Sequence, residues 1–293
     1  MFSKDNIASN DKIAIVTDSA CDLEPDIIEQ YGIQVLPLHI IYNDREYRDR
    51  VDITPQEVYD RLEEEVPKTS LPSPTEIYEL FNRLHEEKFT HVLAIHLSSG
   101  LSGTYQTVSK VAEEYKDMVI EVIDSKTLSM GLGFSVLEAA KELQRSLNFE
   151  EVKRRAKETI EHMKAYYVVC TLEYLKKGGR IGYVAGTVGE LLHIKPIISI
   201  NSEGKYFTVA KVRGREQSLR KLASILKEHV CDTLSNVAIV HGGAEQEARN
   251  LEKIAKEHKN VKEVLFGQIS PALGVHTGPG LVGLLVYPVI GCH

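Results

Sequence analysis

Tryptophan is absent from this 293-residue chain, so aromatic platforms fall to its 13 tyrosines and 7 phenylalanines. Cysteine is scarce. Cys21, Cys170, Cys231 and Cys292 lie far apart and form no Cys-x-x-Cys pair, so neither a disulfide frame nor a zinc site is expected. A basic surplus is missing as well: 35 Lys and Arg face 42 Asp and Glu, a formal charge of -7, and no basic run occurs. That balance argues against a protein held to nucleic acid by phosphate attraction. No apolar stretch approaches the roughly 20 residues of a membrane span. Residues 1–12 lack the apolar core of a signal peptide, so a cytoplasmic location is expected. The chain contains no Gly-x-x-x-x-Gly-Lys-Ser/Thr loop, no His-Glu-x-x-His and no Gly-x-Ser-x-Gly. It therefore lacks the motifs of the P-loop ATPase, the zinc protease and the nucleophile-elbow esterase. Repeats, low-complexity segments and long linkers are also missing.

What remains is alternation. Apolar runs at 12–16, 34–42, 92–97 and 119–125 read as strands, and amphipathic stretches at 24–31, 55–64, 77–87, 104–115 and 128–147 read as helices between them. Strands alternating with helices imply a parallel sheet covered on both faces. Thr54 with Glu57 makes a capping box, and Ser73 or Thr75 caps the helix after it. Asp22 is expected to cap the helix at 24–31. Residues 47–52 read as irregular, and 68–74, with Pro72 and Pro74, as a stiff loop that would hold Thr69 and Ser70 in place. Gly131 and Gly133 are expected to soften the start of the long helix.

The pattern changes after a charged helix at 150–163. A strand at 166–170 leads to a short helix or turn at 172–181, ending at Gly178-Gly179. A short helix at 184–193 follows. Strands at 195–200 and 205–213 flank a turn at 201–204, which predicts an antiparallel hairpin. Helices at 217–230 and 245–258 alternate with strands at 237–241 and 261–266. A rigid polar loop at 274–280 precedes a last strand at 281–289. The expected fold class is therefore α/β in two domains: an N-terminal parallel-sheet α/β/α domain over 12–160 and a C-terminal mixed-sheet α/β domain over 161–290.

The stretch most suggestive of chemistry is Ser98-Ser99-Gly100-Leu101-Ser102-Gly103-Thr104, between the apolar run and the helix. Ligands of open α/β sheets bind at the carboxyl ends of the strands. A helix start there offers N–H groups and hydroxyls to an anion; capping and a turn account for the same residues equally well. Asp18, at another strand end, suits either chemistry or loop stabilisation.

Taken together, several stretches resemble the DegV family. They are Thr17-Asp18-Ser19 with Asp22-Leu23, Thr69-Ser70-Leu71-Pro72-Ser73, and Ser98-Ser99-Gly100-Leu101-Ser102-Gly103-Thr104-Tyr105-Gln106. Further along come Leu172-Glu173-Tyr174-Leu175-Lys176-Lys177-Gly178-Gly179-Arg180-Ile181, Lys195-Pro196 and His276-Thr277-Gly278-Pro279-Gly280. The resemblance spans nearly the whole chain in order. It implies a two-domain protein that binds one long-chain fatty acid, such as palmitate, in an apolar tunnel between its domains. It also implies presentation of the carboxylate to a separate ATP-binding kinase subunit, which forms an acyl-phosphate. On that reading the chain is not itself an enzyme and needs neither cofactor nor metal. The head-group residues implied are Thr69, Ser70, Ser98, Ser99, Gly100, Arg213 and His276, with Arg180 and Lys195 as further candidates. The tunnel lining is expected from the helices after residues 100 and 128 and from the second domain's strands. Leu71 stands where the family often has a polar residue. The alternatives are a carrier of another acidic lipid and a serine-dependent lipid hydrolase built from Ser98 or Ser99 with His276 and Asp18.

Overall fold

The computed structural model describes residues 11–187 and 194–289. The polar lead-in, Cys292 and most of the helix expected at 184–193 lie outside the described residues; Gly182–Thr187 form a 3₁₀ turn.

Strand β1 (Ile13–Asp18) is buried along its whole length, as a strand covered on both faces must be. Helix α1 (Pro25–Tyr31) follows, and its cap position is Glu24 rather than Asp22. The run at 34–42 is two strands, not one. Pro37, which has no N–H to donate, separates β2 (Gln34–Leu36) from β3 (His39–Ile41). The segments read as irregular and as a stiff loop hold β4 (Glu46–Arg48) and β5 (Lys68–Ser70), which flank β3 in a small antiparallel sheet. Thr69 thereby sits opposite Ile40, and Ser70 opposite His39.

Helices α2 (Pro55–Arg61) and α3 (Pro74–Glu86) both begin with a complete capping box and a proline. Strand β6 (His91–His96), α4 (Thr104–Glu114) and β7 (Val119–Asp124) complete the first half. Its four-stranded sheet runs β2-β1-β6-β7, all parallel. Alternate residues of β1 and β6 serve two cores. Ala14, Val16, Val92 and Ala94 meet α3 and α4, while Ile15, Leu93 and Ile95 face the other way.

On that second face lies α5 (Met130–Ser146), buried on every side from Met130 to Ala140. A helix apolar all round belongs in an interior, and this one packs between the two large sheets. Phe134 meets Tyr287 of the second half, ring centroids 6.2 Å apart. Gly131 and Gly133 allow this burial: a Cβ on Gly133 would overlap the Cys21 carbonyl. Close approach, not a softened helix start, is their role.

Helix α6 (Phe149–His162) packs beside α5 and leads to the second half. There β8 (Lys164–Val168), α7 (Glu173–Lys177), β9 (Ile194–Ile200), β10 (Tyr206–Arg213), α8 (Arg215–Val230), β11 (Ser235–Gly242), α9 (Glu245–Lys256), β12 (Val261–Gln268), α10 (Pro271–Thr277) and β13 (Leu281–Pro288) follow in turn. The six-stranded sheet has the order β10-β9-β8-β13-β11-β12; only β11 and β12 run parallel. The expected hairpin is present, with Tyr206 opposite Ile200. Helices α8 and α9 cover the outer face through Leu222, Ile225, Ala248 and Leu251. The polar loop expected at 274–280 is largely α10, started by Ser270 and Pro271. Among the described residues, no helix is long and apolar enough to cross a membrane.

Candidate functional site

In the parallel sheet, strand order reverses between β1 and β6, and a ligand crevice is expected at the carboxyl ends of those strands. A cavity of about 220 Å³ opens there, closed from the other side by the second half of the chain. Leu38, Leu97, Leu101, Leu128 and Leu273 give it an apolar body. Thr69, Ser70, Ser102, Tyr206, Arg180 and His276 give it polar groups. Among the described residues, Arg180 is its one cation, and no Asp or Glu lines it.

The two halves meet at Thr69 and His276. Their hydroxyl and Nε2 lie 2.7 Å apart, although 207 residues separate them in sequence. Thr69 is fixed by β5, and His276 by the last turn of α10. Burial pushes the His276 pKa down to about 4, helped by the positive charge of Arg180, so the ring is neutral at pH 7. Its Nδ1 is buried without a partner among the described residues. Gly178 makes room for the ring, because a Cβ there would fall inside it. Two residues on, Arg180 donates from Nε to the Leu101 carbonyl (3.3 Å) and from Nη1 to the Gly178 carbonyl (2.5 Å). These bonds hold its guanidinium across the junction.

The serine stretch does a different job. Ser98 is fully buried and donates to the Gly204 carbonyl at 2.8 Å, while the Gly100 N–H donates back to its hydroxyl at 3.1 Å. Ser98 and Gly100 therefore fasten the first half to the 201–204 hairpin turn and do not line the cavity. The Ser99 N–H donates to Asp124, and its hydroxyl accepts from Lys126. Ser70 does reach the cavity, where it donates to the Leu71 carbonyl. Asp18 is buried and accepts from the Ala20 and Leu97 N–H groups and pairs with His96, which fixes the start of the 97–103 loop. The imagined serine triad is thus not assembled: His276 meets Thr69 and Asp18 meets His96. Nor, among the described residues, does the Thr69–His276 pair have the third, orienting carboxylate that triads use.

Arg213 stands apart. It is exposed at the far end of β10, seven residues from Tyr206, a distance of roughly 23 Å at ~3.3 Å per residue. Lys195 is turned toward the Cys170 carbonyl. The cation that reaches the cavity is Arg180, carried there by the double glycine before it. Tyr206, on the near end of the same strand, is a lining residue that sequence periodicity alone does not separate from core.

Gly100 gives a direct steric test. A Cβ at this position would lie 2.6 Å from the Glu203 carbonyl oxygen and 2.7 Å from that of Gly204. Both are backbone atoms, so the halves would have to part. Gly100→Ala is expected to cost about 1–3 kcal/mol of unfolding free energy, read from urea unfolding curves. An unchanged midpoint would mean that this contact is not tight in solution.

The family model for DegV, described as uncharacterised proteins, matches residues 12–289. The chain belongs to the DegV family. A DegV domain-containing protein of Clostridium acetobutylicum is 45% identical over 277 residues, covering 94% of this chain and 99% of the relative. The DegV protein of Thermus thermophilus, whose structure concerns fatty acid binding, superimposes with a TM-score of 0.89 at 30% identity, covering 95% of this chain and 100% of that one. A stearic acid-binding protein of Eubacterium ventriosum does so with a TM-score of 0.84 at 30% identity, covering 94% and 98%. The arrangement found here, a parallel sheet in the N-terminal region and a mixed sheet in the C-terminal region, matches DegV structures.

Proposed function

We propose that this chain binds one long-chain fatty acid between an N-terminal domain over 12–160 and a C-terminal domain over 161–290. The observation that carries the reading is the cavity's composition: an apolar body, hydroxyls and a neutral imidazole, with a single cation and no acid among the described residues that line it. An anionic amphiphile matches each of these. Burial of each methylene contributes about 0.8 kcal/mol, so a long chain drives binding strongly. The carboxylate needs fixed partners, because an unpaired buried charge is costly. Arg180 supplies the charge. With its proton on Nε2, His276 donates to Thr69, which leaves the Thr69 hydroxyl hydrogen free for the carboxylate. The acyl chain runs inward along Leu97, Leu128 and Leu273 toward the core shared by the two halves.

In the family's kinase reaction, a carboxylate oxygen attacks the γ-phosphorus of ATP, ADP leaves, and an acyl-phosphate forms. Here the ATP is held by a separate subunit, and this chain contributes orientation of the carboxylate at the domain junction. The relatives that bind stearic acid and fatty acids support the ligand class.

Denaturing extraction of the purified protein, followed by mass spectrometry of the organic phase, tests the reading. About one fatty acid per chain is expected, with palmitate and oleate as exchange probes. A stoichiometric isoprenoid or other acidic lipid would redirect the ligand assignment. No lipid and no uptake of added oleate or palmitate would defeat it. A serine labelled by a fluorophosphonate would favour the hydrolase instead.

A further inference from the structure

Helix α10 belongs to the second half by sequence, yet its first turn is held by the first half. Ser270 donates its N–H to Asp22 Oδ1 at 2.8 Å, and Ala272 donates its N–H to Asp49 Oδ1 at 2.9 Å. Pro271 has no N–H. The Leu273 and Gly274 N–H groups return to Ser270 itself. Every donor of that turn is thereby accounted for, and two of them depend on carboxylates more than 200 residues away in sequence. Both carboxylates are buried and locked from behind: Ser129 donates to Asp22 Oδ2, and Ser19 donates to Asp49 Oδ2, each at 2.5 Å. Arg50 adds a third tie, donating from Nη2 both to Asp22 and to the Gln268 carbonyl at the end of β12. Negative charge at a helix N-terminus is the favourable sign for the dipole. Ala272 and His276 are four residues apart, on one face of α10, and both line the cavity.

We infer that Asp22 and Asp49 are positioning residues of the head-group site: acting through α10, they hold His276 against Thr69. Neither carboxylate lines that cavity. The inference rests on the fatty-acid reading for its consequence in binding, but not for its consequence at His276.

The test uses the full chain with oleate as the probe. Affinity comes from displacement of a fluorescent fatty acid. The His276 titration is followed by the NMR signal of its ring, assigned by its loss in His276→Asn. Asp49→Ala is expected to weaken oleate binding at least tenfold and to move the His276 midpoint up toward the ordinary imidazole value. Asp49→Asn keeps a carbonyl acceptor for the Ala272 N–H and should recover most of both. Val237→Ala, a truncation in the other core, should lower the melting temperature and move neither. If Asp49→Ala does not fold, Asp22→Asn carries the test, with an expected loss of about threefold and the same direction at His276. A folded Asp49→Ala, or Asp22→Asn in its place, with oleate affinity within twofold of wild type and an unmoved His276 midpoint overturns the inference. Should the wild-type chain not bind oleate at all, the fatty-acid reading fails by itself, and the His276 midpoint in Asp49→Ala still decides the positioning role.

Discussion

Arg180→Ala is expected to weaken fatty-acid binding by about 30-fold at least, and by up to a few thousandfold. The basis is electrostatic. Removing one partner of a desolvated charge pair costs roughly 2–5 kcal/mol, and every 1.4 kcal/mol is about tenfold in affinity. Among the described residues, Arg180 is the only cation on the cavity wall. Its guanidinium is also aimed in advance by the bonds to the Leu101 and Gly178 carbonyls, so little ordering remains to be done when an anion arrives. Arg180→Lys retains a charge but loses the planar fork; an intermediate loss is expected. Arg213→Ala is the contrasting variant. Exposed and far along β10, it should leave oleate affinity within about twofold. Displacement titrations of the three variants decide the matter. Equal affinity in Arg180→Ala and wild type would remove Arg180 from the head-group site.

The choice between these two arginines shows where the sequence stopped being legible. Both follow turn or strand signals, and which one reaches the crevice depends on how the β9–β10 hairpin lies over the first half, a long-range property. Signals confined to one turn were readable. The capping box Thr54–Glu57 formed where its spacing placed it, and of Ser73 and Thr75 it is Ser73 that caps α3, in a box with Glu76. Strands β1 and β6 were readable because burial on both faces demands an unbroken apolar run; the edge strand β7, of which Ile123 alone is buried, was readable from its valines and isoleucines. The run at 34–42 misled for the same reason: its apolar character continues across Pro37, while its two halves join different sheets. Three-residue strands such as β4 and β5 are too short to show a period. Asp22 looked like a local cap, yet its partners are Arg50, Ser129 and Ser270, and only the folded chain brings them together. Helix α10 had a readable start in Ser270-Pro271, masked by the glycines that follow.

His276 should give the protein a measurable acid sensitivity. Its folded pKa of about 4 lies below the 6.5 of a free imidazole. Between those values the unfolded chain binds a proton that the folded chain does not, so stability rises with pH across this window and is lost as pH falls through it. A shift of this size corresponds to roughly 3 kcal/mol. Asp22 and Asp49 oppose it. Burial raises each from 3.8 to about 6, so between pH 4 and 6 the folded chain holds protons that the unfolded chain releases, and acidification there is stabilising. The wild-type profile is the difference of these terms, but a variant isolates one of them. His276→Asn cannot take up the proton, and its stability relative to wild type is expected to climb by about 2–3 kcal/mol as pH falls from 6.5 to 4, measured by urea unfolding at stepped pH. Parallel profiles would show that His276 titrates normally and is not held in the buried site. Bound fatty acid should shrink the difference, because a carboxylate beside the ring favours its protonated form. Binding at pH 5–6 would then take up protons, visible as a calorimetric heat that depends on the ionisation enthalpy of the buffer. Arg180 thus acts in two directions: it disfavours a charged imidazole while no anion is bound, and it shares the anion with that imidazole once one is.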